Sequence, residues 1–386
     1  MFKTEAWVLH RGSDEGARSA PGRLELESVE IPDITDSEAL IEPLIGCWEA
    51  NITHALERRP IDVCLARKEP TVILGNTGVV RVLTVGSAVR ELDEGDCCVV
   101  AGVDTGRRRF AMPDRAWAYD QPGSSGLFAR RSKIAADKLI KLPRNSPVRL
   151  EQWAAMSGRY FAGWPNFKLA HATLRAVVSE AVHPSPFALA WGGGVSIAQL
   201  ELARLHGYRC AMIASTDERL GLIASKGFIP IDRRRFLDLW FDEQAHETDR
   251  AARDRYLAAE RTFLDIVGEV TAGGGASIFF DHIGTPVARA TLKALASPGV
   301  MATVGWKHGM KTSQLRAIEC MGWHTHVFTH LARPADARDA AAFAHERGWA
   351  PDPLPEPYPF ERIPELAARY SDGLQTYFPL YRVNPL

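Results

Sequence analysis

The run Trp191-Gly192-Gly193-Gly194-Val195-Ser196 stands directly after an apolar segment, Phe187–Trp191, and before a stretch in which Ile197, Leu200, Leu202, Ala203 and Leu205 recur at helical spacing. A glycine bend joining a strand to a helix can hold a diphosphate. Backbone without side chains lets the phosphates approach, and the helix N-terminus offers N–H groups and a favourable dipole. Gly192, Gly193, Gly194 and Ser196 are therefore candidate cofactor-binding residues. The full Gly-x-Gly-x-x-Gly spacing is absent, because Ser196 or its neighbour stands where the last glycine would fall. A glycine-rich turn without a ligand is the competing reading. The next apolar segment, 209–214, ends at Ala214-Ser215-Thr216 with no carboxylate to take ribose hydroxyls, and Asp217 and Glu218 follow as helix caps. Hydroxyls at Ser215 and Thr216, with Arg219 close behind, leave room for a 2′-phosphate and point to NADP(H).

Other residues of chemical interest are less organised. His324 and His326 form a His-x-His pair beside Trp323, and on a strand both rings would face one side; no third ligand stands near, so no metal is expected. The basic runs Arg107-Arg108-Arg109 and Arg233-Arg234-Arg235 could meet phosphates of a CoA or carrier-protein arm, or form solvated faces.

The elements that must position these residues are legible in outline. Short apolar runs at 39–45, 71–74, 79–85 and 97–100, separated by turns, predict a compact β-rich barrel over the first 150 residues. After Pro143 the pattern changes. A helix over 150–170 precedes strand 187–191, a helix, strand 209–214, a helix over 217–226 and strand 228–231. A charged helical stretch fills 233–271, and strands return at 277–280 and 300–304. Alternating strand and helix predicts an α/β domain with a parallel sheet. The 386 residues suit two domains, and 46% hydrophobic against 24% charged residues supports a large core. With 46 basic and 47 acidic side chains, no global field selects nucleic acid or a membrane surface. Six cysteines in this length do not make a disulfide scaffold. No apolar run is long enough to span a bilayer and no signal-peptide core is present, so a cytoplasmic setting is expected.

Three further stretches, Gly75-Asn76-Thr77-Gly78-Val79-Val80, Val85-Gly86-Ser87 and Glu94-Gly95-Asp96, give the N-terminal region a familiar order. The chain resembles the medium-chain dehydrogenase/reductase superfamily over nearly its whole length. The resemblance implies a GroES-like β-rich catalytic domain over 1–150, rejoined by 313–386, and a Rossmann nucleotide-binding domain over 151–312 with a helical insertion near 233–271. Within that superfamily it resembles the crotonyl-CoA carboxylase/reductase (enoyl-thioester reductase) branch. The segment Glu38-Ala39-Leu40 to Asn51 is similar to the strand leading into that branch's active site. Trp117-Ala118-Tyr119-Asp120 resembles its Trp-Gly-Phe-Glu, and Phe280-Asp281-His282-Ile283-Gly284 its Phe-Glu-His-Pro-Gly. Thr329-His330-Leu331-Ala332 is similar to its Ser-His-Phe-Ala, and Leu239 to Gly275 to its insertion.

The resemblance makes His330 the active-site histidine, suited to proton transfer. Asp120 and Glu49 become a candidate acid/base pair, or one of them orients His330. Tyr119 would shape the pocket or donate a hydrogen bond, and Trp48, Asn51 and Asn76 would meet substrate. Gly305 and Lys307, in Gly305-Trp306-Lys307-His308-Gly309, lie where the family's backbone approaches nicotinamide. The departures also matter. Glu49 replaces the cysteine, and Asn76-Thr77 the histidine motif, of zinc alcohol dehydrogenases, and the four-cysteine lobe is missing, so zinc independence is expected. Glu49 and Asp120 together would repel a carboxylate product, which argues against carboxylation. Ala317 beside Arg316 stands where a basic residue would help bind the CoA nucleotide. The leading expectation is an NADP(H)-dependent reductase of an α,β-unsaturated thioester or related conjugated carbonyl, a homodimer acting on a small-molecule or thioester substrate. A lyase, isomerase or cyclase on the same scaffold, and a non-catalytic partner subunit, are the alternatives.

Overall fold

The computed structural model describes every residue except 16–17, 105–109, 111, 309–316 and 374–375. Arg107, Arg108, Arg109, Gly309 and Arg316 therefore lie outside the described residues. The chain divides into two compact units, Met1–Phe161 with Leu331–Leu386, and Ala162–His330.

In the first unit the strands Phe2–His10 and Arg23–Ile31 pair antiparallel along their full length, from Phe2↔Ile31 to His10↔Arg23, and Thr71–Ile73 adds on the other side. The sequence outline did not anticipate this hairpin, because the exposed face of Arg23–Ile31 is charged. A second sheet runs in the order Leu139–Lys141, Cys97–Val100, Gly78–Val85, Glu38–Cys47, Leu380–Arg382 and Tyr358–Pro359, with Ser132–Ala135 also on Glu38–Cys47. The last residues of the chain thus complete a sheet begun near its start, with Leu380↔Cys47 and Tyr381↔Gly46 in register. Gly46 has no room for a side chain, since a Cβ there would overlap the Tyr381 ring.

The second unit is built on six parallel strands in the order Ile229–Asp232, Arg209–Ala214, Phe187–Trp191, Ala276–Asp281, Leu295–Thr303 and His324–Phe328. Phe187–Trp191 and Ala276–Asp281 are buried at every residue, as central strands covered on both faces must be. Helix Arg250–Thr271, capped by the Asp249 carboxylate, lays Tyr256, Phe263, Ile266 and Val267 against Trp191, Phe236 and Phe279. The strand order reverses beside Phe187–Trp191, the place where open α/β sheets bind ligands at the carboxyl ends of their strands.

Two expectations are corrected here. The return to the first unit was set at 313, but His324–Phe328 pairs in parallel with Leu295–Thr303, with Val300↔Thr325 in register, and holds the chain in the second unit through His330. The other edge, set at 150, falls instead inside helix Leu150–Val177, between Phe161 and Ala162. Among the described residues no helix is long and apolar enough to cross a membrane.

Candidate active site

In the second unit, strand Phe187–Trp191 ends in the glycine bend, and helix Gly194–Leu205 begins inside it. Gly192 has φ +131°, and a Cβ there would lie 2.8 Å from Ser196 Oγ and 3.1 Å from His282 Cβ. Only glycine fits. Ser196, in place of a later glycine, is fully buried and donates its hydroxyl to the Trp191 carbonyl at 2.9 Å. It ties the bend together rather than facing a ligand through its oxygen. Gly193, the N-cap, supplies no side-chain acceptor to the first N–H groups of the helix.

The end of the second strand differs in one detail from expectation. Thr216, not Asp217 or Glu218, is the N-cap of helix Asp217–Ser225, its Oγ1 accepting from Arg219 N at 3.4 Å. Asp217 and Glu218 occupy the first turn, where carboxylates suit the helix dipole. Asp217 also pairs with Arg234 at 2.6 Å. Ser215 is exposed.

A buried polar chain lies behind this edge. Gln199 Nε2 donates to Asn166 Oδ1 at 2.6 Å, and Asn166 Nδ2 donates to the Thr303 carbonyl and to Thr329 Oγ1, both at 2.9 Å. His282 Nε2 donates to Gln199 Oε1 at 2.7 Å, which leaves Nδ1 as the acceptor beside Thr303 Oγ1 and Val304 N. Burial lowers His282 to about 4, so the ring is neutral and this tautomer holds. Thr303 Oγ1 accepts from Gly305 N at 3.0 Å. The chain fixes the Val304-Gly305 peptide, whose Val304 carbonyl accepts from His330 Nδ1 at 2.8 Å. A carbonyl only accepts, so Nδ1 carries a proton and Nε2 is the nitrogen left clear of this bond. Gly305 sits beside the ring, its missing Cβ 3.6 Å from Nδ1. His330 and Gly305 are thus brought together, His330 is exposed, and Lys307 is anchored through its N–H on the His282 carbonyl with its side chain exposed.

In the first unit the expected carboxylate pair is not what forms. The partner of Glu49 is Arg159, whose Nη1 lies 2.7 Å from Glu49 Oε1 and 2.7 Å from Cys47 Sγ, while Nη2 donates to the Trp48 carbonyl at 2.7 Å. Burial pushes the Glu49 carboxyl up, against the pull of Arg159, and pushes the Cys47 thiol up to about 12. Burial also opposes the charge on Arg159, but the thiol and carboxylate beside it prevail and keep it a cation. Gly158 opens the space, since a Cβ there would meet Glu49 Oε1 at 2.8 Å and Thr77 Cγ2 at 3.0 Å. Asp120 is engaged elsewhere, accepting from Ala116 N at 2.7 Å. In the second unit, His330 Nδ1 is held by the Val304 carbonyl. Trp48 is not a substrate contact. It is wholly buried, donates to Thr53 Oγ1 at 3.0 Å and packs on Phe128 and Tyr370. Tyr119 is half-buried, and burial, then Asp120, raises its phenol to about 12, so it is a hydrogen-bond donor at neutral pH. Asn76 is buried, and Asn51 Oδ1 is buried without a hydrogen-bond partner.

The sequence reading missed Arg159, Asn166 and Gln199. A signal for Arg159 existed: it is a charge standing alone among small and aromatic residues in Trp153–Trp164, a stretch otherwise suited to burial. For metal, the described residues offer one three-ligand group, His10, Glu25 and Glu27 on the outer hairpin, where His10 Nε2 and Glu27 bond to each other. Around Glu49 the described side chains that could meet zinc are one thiol, Cys47, and one carboxylate, both engaged by Arg159, which is not a zinc donor set.

No protein-family model and no curated protein matches the chain. Solved structures do. A crotonyl-CoA carboxylase/reductase in complex with NADP is 20% identical with a TM-score of 0.78, over 100% of this chain and 96% of that one. The 2-octenoyl-CoA carboxylase reductase CinF, in complex with NADP and 2-octenoyl-CoA, is 18% identical with a TM-score of 0.79, over 98% and 87%. The alcohol dehydrogenase of the archaeon Aeropyrum pernix is 15% identical with a TM-score of 0.74, over 98% and 100%. At these identities the likeness is one of fold: the chain has the α/β architecture shared by the carboxylase/reductases and medium-chain alcohol dehydrogenases, a β-rich domain joined to a Rossmann domain.

Proposed function

We propose that this chain is a zinc-independent, NADP(H)-dependent reductase of an α,β-unsaturated thioester or related conjugated carbonyl, working without carboxylation. The observation that carries the nucleotide reading is the uncapped start of helix Gly194–Leu205, reached through a bend in which Gly192 leaves no room for a side chain. Backbone of Gly192, Gly193 and Gly194 would hold the diphosphate, and Ser215, Thr216 and Arg219 would surround the adenosine ribose, where the absence of a carboxylate at the strand tip favours a 2′-phosphate. The fold likeness to enzymes crystallised with NADP supports the cofactor, and the 2-octenoyl-CoA complex supports the substrate class.

When bound, the nicotinamide supplies a hydride. The chain's own residues orient, bind and move protons. His330, held through Nδ1 by Val304, presents Nε2 for proton transfer, directly or through water. Gly305 keeps the flank of that ring free, and Lys307 adds positive charge nearby. Tyr119 serves as a neutral donor, and Asn51 and Asn76 as polar contacts to substrate. Glu49, locked to Arg159, sets the charge of its surroundings rather than moving freely, and Asp120 supports the turn that carries Tyr119. The chain would pair as a homodimer through His324–Phe328, the last strand of its sheet, which is flanked by exposed Met321, Trp323 and Phe328.

The test is titration with NADPH and NADH, read by nucleotide fluorescence and thermal stability, followed by NADPH consumption with a 2-enoyl thioester. NADPH should bind and be consumed, and His330→Ala should lower kcat about 10²-fold or more with NADPH binding retained. A folded chain that binds neither nucleotide would defeat the reading and favour a lyase, isomerase or cyclase.

A further inference from the structure

In the first unit, the loop that carries Tyr119 is gripped by two residues to which the reading above gives no part, Arg67 and Glu69. The short helix Val63–Arg67 starts at Asp62, whose side chain accepts from Leu65 N at 3.1 Å, and stops where Lys68 turns left-handed at φ +60°. Arg67 and Glu69 flank that stop. Arg67 is 4% exposed, and its Nη2 donates to Glu69 Oε2 and to the Ser124 carbonyl, each at 2.6 Å. Its Nε and Nη1 are buried without a hydrogen-bond partner among the described residues. The other oxygen of Glu69, Oε1, accepts from Gly123 N at 2.7 Å. Among the described residues, every hydrogen bond of this buried guanidinium therefore ends on the loop or on the acid that holds the loop. Burying a cation with two unpaired donors costs stability, so stability alone does not account for a charge here.

The loop needs holding. Ala118, next to Tyr119, has φ +55°, a conformation that a residue with a Cβ rarely adopts and that persists where the surroundings enforce it. Its N–H donates to Ser124 Oγ at 3.0 Å, Ser124 Oγ donates to the Gln121 carbonyl at 2.6 Å, and Asp120 Oδ1 accepts from Ala116 N at 2.7 Å. Ser124 is thus where two sets of bonds meet: its side chain closes the loop on itself, and its carbonyl takes Arg67. Tyr119, so placed, packs against the buried cluster that holds Trp48 and Phe128.

We propose, resting on the reading of Tyr119 as a donor to substrate, that Arg67 and Glu69 are its positioning residues: through Ser124 and Gly123 they clasp the loop 116–124 in its strained form and fix where the Tyr119 hydroxyl meets substrate. The full chain, its Glu69→Ala, Glu69→Gln, Arg67→Lys and Tyr119→Phe variants, and the double variant Glu69→Ala with Tyr119→Phe would be assayed for NADPH-dependent reduction of crotonyl-CoA and 2-octenoyl-CoA, with amide hydrogen exchange read in parallel. Glu69→Ala should lower kcat/KM about tenfold or more, as misplacing a group that meets substrate does. Its loop 116–124 should exchange faster, while strands Phe2–His10 and Arg23–Ile31 stay as protected as in the native chain, which shows that the variant is folded. Glu69→Gln still offers an oxygen to Gly123 N and should recover most of the loss. Arg67→Lys, which keeps a cation beside Glu69, should fall between Glu69→Ala and the native chain. In the Tyr119→Phe background, Glu69→Ala should lower kcat/KM by less than about twofold, because the hydroxyl it positions is gone. A merely structural pair would instead give the product of the two single losses. That product, loop exchange unchanged in Glu69→Ala, or a Tyr119→Phe variant as active as the native chain overturns the clasp while leaving the reductase reading standing. A native chain that reduces neither thioester overturns both.

Discussion

The Glu49–Arg159 pair gives the sharpest energetic test. Replacing Arg159 by Met keeps a long apolar side chain in the helix but removes the guanidinium that meets Glu49, Cys47 and the Trp48 carbonyl. Arg159 is 6% exposed and the Glu49 side chain 16%, so water can replace only part of what is lost. Removing one partner of a buried ion pair costs about 3–5 kcal/mol, because the other charge is left uncompensated. Glu49 has an escape, since it can take a proton. Its carboxyl is already raised by burial, and without Arg159 it rises further. A carboxyl with a raised folded-state pKa binds more protons folded than unfolded, so it costs stability as pH rises from the unfolded value towards the folded one. The loss in Arg159→Met should therefore be about 1–3 kcal/mol near pH 5, where the Trp48 carbonyl still loses its donor, and approach the full ~3–5 kcal/mol near pH 8. Glu49→Gln combined with Arg159→Met should cost less at pH 8 than Arg159→Met alone. Urea unfolding followed by tryptophan fluorescence at both pH values measures this. A loss under about 1 kcal/mol at pH 8, or a double variant costing the sum of the singles, would refute the view that Arg159 neutralises Glu49.

Two neighbouring residues should pull stability in opposite directions with pH. Burial raises Asp281 to about 6 and lowers His282 to about 4. Between about pH 4 and 6 the first makes stability fall with rising pH and the second makes it rise, each by up to roughly 3 kcal/mol. Asp281→Asn should leave a stability that climbs with pH in this window, and His282→Gln one that falls; flat profiles in both would count against these assignments. For assembly, Trp323→Glu with Phe328→Asp should convert a dimer to a monomer in light scattering, and a native chain that is already monomeric removes the edge-strand pairing.

Much of the fold was written in local pattern. Phe187–Trp191, Arg209–Ala214 and Cys97–Val100 have the same limits in the sequence reading and in the structure, because apolar runs bounded by turn residues need no distant partner to be recognised. The glycine bend and the carboxylate-free end of the second strand were likewise visible, since they are properties of adjacent residues. The hairpin Arg23–Ile31 was not, because one face is charged and only its pairing with Phe2–His10 makes it a strand. Neither was the boundary after His330, because whether His324–Phe328 joins the parallel sheet depends on Leu295–Thr303.

The candidate site divides along the same line. Residue types and spacing identified the glycines, and the family resemblance identified His330, Glu49 and Asp120, as chemically interesting. Tertiary structure decided their partners: Glu49 went to Arg159, 110 positions away, rather than to Asp120, and His330 was oriented by a carbonyl held through Asn166, Gln199 and His282. Side-chain chemistry is a local property and can be read in one dimension. The charge state and orientation that turn it into function depend on burial and on hydrogen-bond partners far apart in sequence, and those exist only once the chain has folded.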